Sequence, residues 1–204
     1  GVSPVPGSFR RAIVERYPFE LDRFQVEALD AFDDGEHVIV AAPTGSGKTV
    51  VAEYGVETML RSGRRAFYTA PIKALSNQKY RDLCARHGDH AVGLLTGDTV
   101  VNGDAPIVVM TTEVLRNMIY AGRDLNTLGV VVLDEVHFLQ DEYRGPVWEE
   151  VIIHLPAHVQ LVCLSATVSN ARDLGEWITT VRGPTTVVVE QRRPVELDQF
   201  YFVA

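Results

Sequence analysis

Two stretches of the sequence carry residue types that do chemistry at fixed spacing. In VVVLDEVHFL, residues 130–139, an apolar run leads straight into Asp134 and Glu135, with His137 close behind. Adjacent carboxylates at the end of a buried run repel each other and lose hydration. A metal ion, a catalytic water or both would account for the pair; so would a strand that ends in a polar turn. The second stretch is APTGSGKT, residues 42–49, which meets the pattern G-x-x-x-x-G-K-[ST] at Gly47, Lys48 and Thr49 but has Ala42 in the first glycine position. In such a loop Pro43, Thr44, Gly45, Ser46 and Gly47 can turn several backbone N–H groups toward one phosphate chain, at the positive end of the following helix. Lys48 would then reach the β and γ phosphates of ATP, and the Thr49 hydroxyl would ligand Mg2+.

Joined to that loop, the acidic pair acquires a purpose. Asp134 would hold magnesium opposite Thr49 through water, and the ion's charge would relieve the repulsion between the carboxylates. Glu135 would be left to orient and polarise an attacking water.

These groups must converge on one edge, and the rest of the pattern says how. Strand-like runs occur at 37–41, 65–70, 91–96, 105–110, 129–134, 159–165 and 185–190. They are continuously apolar instead of alternating, as expected of strands covered on both faces. Helical spacing fills the intervals: VVAEYGVETMLRSG, IKALSNQKYRDLCARHG, EVLRNMIYAG, the stretch around VWEEVIIHL, and NARDLGEWITTV. Strand alternating with helix predicts an α/β fold, a mostly parallel central sheet with helices on both faces. Ligands of such sheets bind beyond the carboxyl ends of the strands, where both motifs fall.

Composition narrows the class. The chain has 204 residues, 46% hydrophobic, enough for one domain with a full core. No apolar run approaches the ~20 residues that span a bilayer, and the N-terminus lacks a secretory layout. Cys84 and Cys163, far apart, read as reduced buried thiols, which suits a cytoplasmic protein. A net charge of −8 excludes coating of nucleic acid by bulk positive charge, but not a local groove.

Such a groove has candidates. Pro71 follows the strand at 65–70 and is expected to open a helix, leaving N–H groups near Ile72 and Lys73 free. Thr96, Gly97 and Asp98 follow the next strand. Thr111 and Thr112 follow another, Thr112 as the expected helix cap. Three strand ends in a row make a track for successive phosphates, with Lys73 and Arg116 as the side-chain candidates.

In order, the motifs resemble the first RecA-like domain of superfamily II helicases. APTGSGKT resembles motif I, where alanine in place of the first glycine is usual; DEVH (134–137) resembles motif II of the DExH branch, and SAT (165–167) motif III. TAPIKALSNQKYRDL (69–83), GLLTGDTVVNGDAPIVVMTTEVLRNMIY (93–120) and DEYRGPVWEEVI (141–152) are similar to Ski-like RNA helicases, with the actinobacterial HelY type nearest. The resemblance implies a three-layer RecA-like P-loop NTPase domain over 19–190, a lead-in over 1–18, and over 191–204 the start of a linker toward a second RecA-like domain that supplies arginine fingers. It implies that Gln25 reads adenine with Phe19 as a stacking partner, although an aromatic before a helix can equally be core. It assigns 70–78, 96–98 and 111–118 to a single-stranded RNA track, turns His137 toward the second domain, and makes Ser165, Ala166 and Thr167 the link between nucleotide and track. The implied activity is ATP-dependent translocation on and unwinding of RNA, with RNA-decay proteins as partners and little hydrolysis by this chain alone. Backbone contacts ignore base identity, so a DNA-directed DExH helicase stays open, as does a non-helicase P-loop ATPase.

Overall fold

Alternate residues of each long strand serve two different cores, which is why the runs are apolar without a break. The computed structural model describes residues 9–43, 45, 47–136, 145–168 and 171–190. Its strands are β1 (His37–Ala41), β2 (Arg65–Ala70), β3 (Val92–Leu95), β4 (Val100–Val101), β5 (Ile107–Thr111), β6 (Leu128–Leu133), β7 (Gln160–Ser165) and β8 (Thr185–Val189). They form one sheet in the order β4-β3-β5-β2-β6-β7-β1-β8. Every pairing is parallel except β3 with β4.

The helices are α1 (Arg10–Val14), α2 (Arg23–Asp33), α3 (Thr49–Arg61), α4 (Lys73–His87), α5 (Thr112–Tyr120), α6 (Gly145–His154) and α7 (Ala171–Arg182). Under α1 to α4 lies a core that takes Val38, Val40, Tyr68, Val130 and Val132 from the sheet. The opposite face gives Ile39, Ala41, Phe67, Val131 and Leu133 to a second core under α5 to α7. The expected three-layer α/β architecture is therefore the one observed. No described helix is long and apolar enough to cross a membrane. Both thiols are free, and burial pushes the Cys163 thiol up to about 12.

Two elements depart from the sequence pattern. β4 was not expected: it is two residues long and antiparallel, and Val100 is 78% exposed, so it has neither the length nor the burial that marks the other strands. The lead-in expected over 1–18 contains α1, whose Ile13 is fully buried in the first core.

Polar side chains tie the ends of neighbouring elements together. The guanidinium of Arg182, on α7, donates to the carbonyls of Ile152, Leu155, Pro156 and Val159, closing the end of α6. His37 Nδ1 accepts from the Leu161 amide at 3.1 Å. Burial first, then the Arg182 charge, lowers the His37 imidazole to about 4.

Candidate functional site

The parallel sheet delivers the strand ends to one edge. Strand β7 lies between β1, which runs into the phosphate loop, and β6, which runs into Asp134. The Ala42 amide donates to the Ser165 carbonyl and the Val136 amide to the Leu164 carbonyl, both at 3.0 Å. The end of β7 is thus stitched to both chemical motifs. Beyond it Ser165 Oγ closes a small turn, accepting from the Thr167 amide at 3.1 Å and meeting Thr167 Oγ1 at the same distance.

In the phosphate loop Gly45 and Gly47 have φ of +85° and +91°, a region in which side chains are strained. At Gly47 a Cβ would sit 2.6 Å from Gln25 Nε2 and would displace that amide from the loop. That amide donates to the Gly47 carbonyl at 2.9 Å, while Gln25 Oε1 accepts from the Asp22 amide at 2.8 Å. Gln25 therefore completes the capping box of α2 and holds the loop with the same side chain. Lys48 is buried, and its ammonium donates to the Ala42 carbonyl at 3.2 Å. It forms an ion pair with none of the described carboxylates. Thr49 opens α3. Pro43 is half-buried, while Thr44 and Ser46 lie outside the described residues.

At the acidic pair, β6 sends Val130 and Val132 to the α1–α4 side. The two-residue period carries Asp134 to that side too, the one on which α3 begins. Asp134 Oδ1 accepts from the Glu135 amide at 2.8 Å, and Oδ2 from the Tyr68 hydroxyl at 2.5 Å. Burial, followed by the Asp134 charge, pushes the Tyr68 phenol well above its usual range, so it is a donor. Glu135 has φ +55°, a left-handed backbone that costs a non-glycine residue on the order of 1–3 kcal/mol. His137 lies outside the described residues. Phe19 is half-exposed and so not a core residue; its ring meets that of Tyr17 with centroids 5.4 Å apart.

The track candidates gather around a cleft of about 650 Å³. Pro71, Ile72, Lys73, Gly97, Thr111 and Thr112 line it, as does Glu135. Thr96, Asp98 and Arg116 do not. Thr96 is buried and donates to Asp98, and Asp98 pairs with Lys73 at 2.6 Å. Arg116 lies between Glu113 and Glu150, at 3.7 and 3.8 Å. Two local expectations are corrected. Pro71 does not open α4: Ile72, in extended conformation, is the N-cap and Lys73 the first helical residue. Nor is Thr112 the cap of α5. The strand runs on to Thr111, whose extended backbone and side-chain oxygen cap Val114, and Thr112 turns inward to donate to the Ala70 carbonyl. Asn117, in the cleft wall, falls within the 111–118 segment assigned to the track; sequence reasoning missed Trp148 in the same wall and Tyr68 beneath Asp134. Tyr68 stands in an apolar strand run and gave no signal of its role.

Comparisons with known proteins follow the same lines. The profile of the DEAD/DEAH box helicase family matches residues 22–174. A probable helicase HelY of Mycobacterium leprae is 61% identical over 187 residues, covering 91% of this chain and 20% of that protein. The DExH-box ATP-dependent RNA helicase DExH15, chloroplastic, of Arabidopsis thaliana is 50% identical over 196 residues, covering 93% and 17%. The exosome RNA helicase MTR4 of Mus musculus is 46% identical over 192 residues, covering 93% and 18%. The chain spans about a fifth of the length of these relatives. Among solved structures, the DUF1998 helicase MrfA bound to DNA and AMPPNP superposes with a TM-score of 0.72 at 23% identity, covering 89% of this chain and 29% of that one. The helicase domain of Pyrococcus furiosus Hef gives 0.67 at 20%, covering 94% and 42%. These two likenesses concern the fold.

Proposed function

Since this chain belongs to the DEAD/DEAH box helicase family, we propose that it is the ATP-binding first RecA-like domain of a Ski-like, ATP-dependent RNA helicase. The observation that carries the reading is Lys48: a buried ammonium at the start of α3 that, among the described residues, is held by a carbonyl and ion-paired to no carboxylate. A buried cation without a counter-charge is costly unless an anion joins it, and a polyphosphate is that anion. The positive-φ glycines free the loop's amides to face the same group.

Magnesium would be held by Thr49 and Asp134, and when bound it would neutralise charge on the phosphates. Glu135 polarises and orients the attacking water from a backbone held in the left-handed region at the end of β6. Lys48 stabilises charge that develops on the phosphates. Gln25 reads the adenine edge with Phe19 beside it, and His137 faces the second domain. Ser165, Ala166 and Thr167 couple the loop to the track, a role supported by the hydrogen bonds that tie the end of β7 to both motifs. Pro71, Ile72, Lys73, Thr96, Gly97, Asp98, Thr111, Thr112 and Arg116 form the track. Lys73 and Arg116 must exchange their acidic partners for phosphates when a strand binds.

RNA is the favoured strand because relatives at 46% and 50% identity are named RNA helicases. A second RecA-like domain, arginine fingers and RNA-decay partners belong to the longer protein, which works in the cytoplasm. An arginine finger is worth on the order of 10³–10⁵ in rate, so this chain alone binds nucleotide but hydrolyses it near background. The test is ATP turnover by the full-length protein with single-stranded RNA, single-stranded DNA or neither. Stimulation by RNA above DNA is expected. Preference for DNA would move the protein to the DNA-directed class, and no response to either would overturn the proposed strand-coupled ATPase activity.

A further inference from the structure

We propose that the Tyr68 hydroxyl is a positioning group for the magnesium site, holding the Asp134 carboxylate in its working orientation. The proposal rests on the reading of Asp134 as the carboxylate that holds magnesium.

Tyr68 lies on β2 in register with Val132 of β6, and both side chains enter the core under α1 to α4. The phenol runs along that face past Val132 and meets Asp134 at the strand end. Tyr68 is 2% exposed, its ring buried in the apolar layer and its hydroxyl brought out to the strand end. A phenylalanine would fill the same space without the cost of burying an oxygen. The hydroxyl donates to Asp134 Oδ2 at 2.5 Å, a charge-assisted bond, while the Glu135 amide donates to Oδ1. With one donor on each oxygen the carboxylate cannot rotate freely, yet each oxygen keeps a lone-pair direction for the ion's water shell. The ring is itself clasped: Lys79 Nζ sits 4.9 Å from its centroid. Lys79 belongs to α4, the helix that opens at the track beside Ile72.

The experiment is a magnesium titration of nucleotide binding by this chain, followed with a fluorescent ATP analogue, for wild type, Tyr68→Phe, Tyr54→Phe and Asp134→Asn. Tyr54 is the matched control: its hydroxyl donates to Asp33 at 2.8 Å in the same core but away from the acidic pair. Hydrogen-bond partners of metal-holding carboxylates cost about 10–100-fold in metal affinity when removed. Tyr68→Phe should therefore raise the half-saturating magnesium concentration roughly tenfold, with binding in excess chelator unchanged. Tyr54→Phe should leave the midpoint where it is, although both variants lose thermal stability. A Tyr68→Phe midpoint within twofold of wild type, alongside a raised midpoint in Asp134→Asn, overturns the role of Tyr68 alone. Unchanged midpoints in both overturn the reading of Asp134 and the proposal with it. Equal shifts in Tyr68→Phe and Tyr54→Phe would reduce Tyr68 to a core residue.

Discussion

Gln25 serves two masters, and removing it should expose both. One side-chain oxygen caps the Asp22 amide and one side-chain nitrogen holds the Gly47 carbonyl, at 2.8 and 2.9 Å, in a residue that is 2% exposed. Gln25→Ala takes the acceptor from the Asp22 amide and one of two donors from the Gly47 carbonyl, which keeps the Val50 amide at 3.2 Å. At about 1 kcal/mol per bond the loss is about 2 kcal/mol, which lowers the melting temperature of a chain this size by roughly 4–8 °C. Only the second bond concerns the phosphate loop. With it gone the loop must be ordered by the nucleotide itself, and ~1 kcal/mol corresponds to a loss of at least about fivefold in Mg-ATP affinity. Asp22→Ala separates the effects, since it deletes the other half of the capping box and spares the Gly47 bond. It should cost about 1 kcal/mol of stability and leave affinity unchanged. Calorimetric unfolding gives the first quantity and isothermal titration the second. Unchanged ATP affinity in Gln25→Ala, or equal weakening in Asp22→Ala, would refute the claim that Gln25 supports the loop.

Three further outcomes are expected. In the full-length protein Glu135→Gln should bind ATP within about twofold of wild type yet lose on the order of 10²–10⁴ in turnover, because only water activation is removed; normal turnover would end its assignment as base. His37 has its folded value lowered from 6.5 to about 4, so its contribution is complete above about pH 6.5 and is lost as pH falls toward 4. His37→Asn, which keeps an acceptor for the Leu161 amide, should therefore show a smaller drop in unfolding free energy between pH 7 and pH 4.5, and an identical drop would contradict the buried neutral imidazole. Arg182→Met removes four hydrogen bonds to carbonyls, of which Pro156 keeps the Val159 amide as a second donor, and should cost about 3 kcal/mol by urea denaturation, with Arg182→Lys recovering little because an ammonium cannot span the fork. Full recovery by lysine would show that charge, not geometry, is what matters there.

The architecture was legible because each long strand feeds two cores and so writes itself as an unbroken apolar run. β4 was illegible for the opposite reason, having two exposed valines and no core beneath them. The chemical motifs were legible because their chemistry restricts residue type: glycine where φ is positive, lysine for phosphate, paired carboxylates at a strand end. What sequence could not supply was pairing across the fold. Lys73 and Asp98 looked like independent track residues, 25 positions apart, and prove to be bonded to each other. Thr111 and Thr112 are chemically interchangeable as caps; the strand register decides between them. Tyr68 looked like one more aromatic in a buried strand until its oxygen was found on Asp134.

The central claim is that the loop around Lys48 receives the phosphates of ATP. Isothermal titration of Mg-ATP into this chain and into Lys48→Ala tests it directly, with circular dichroism to verify that both are folded. Loss of one charge-assisted phosphate contact is worth about 1.5–3 kcal/mol, so the variant should bind roughly 10- to 100-fold more weakly. Equal affinity in the two folded proteins would contradict the phosphate role of Lys48.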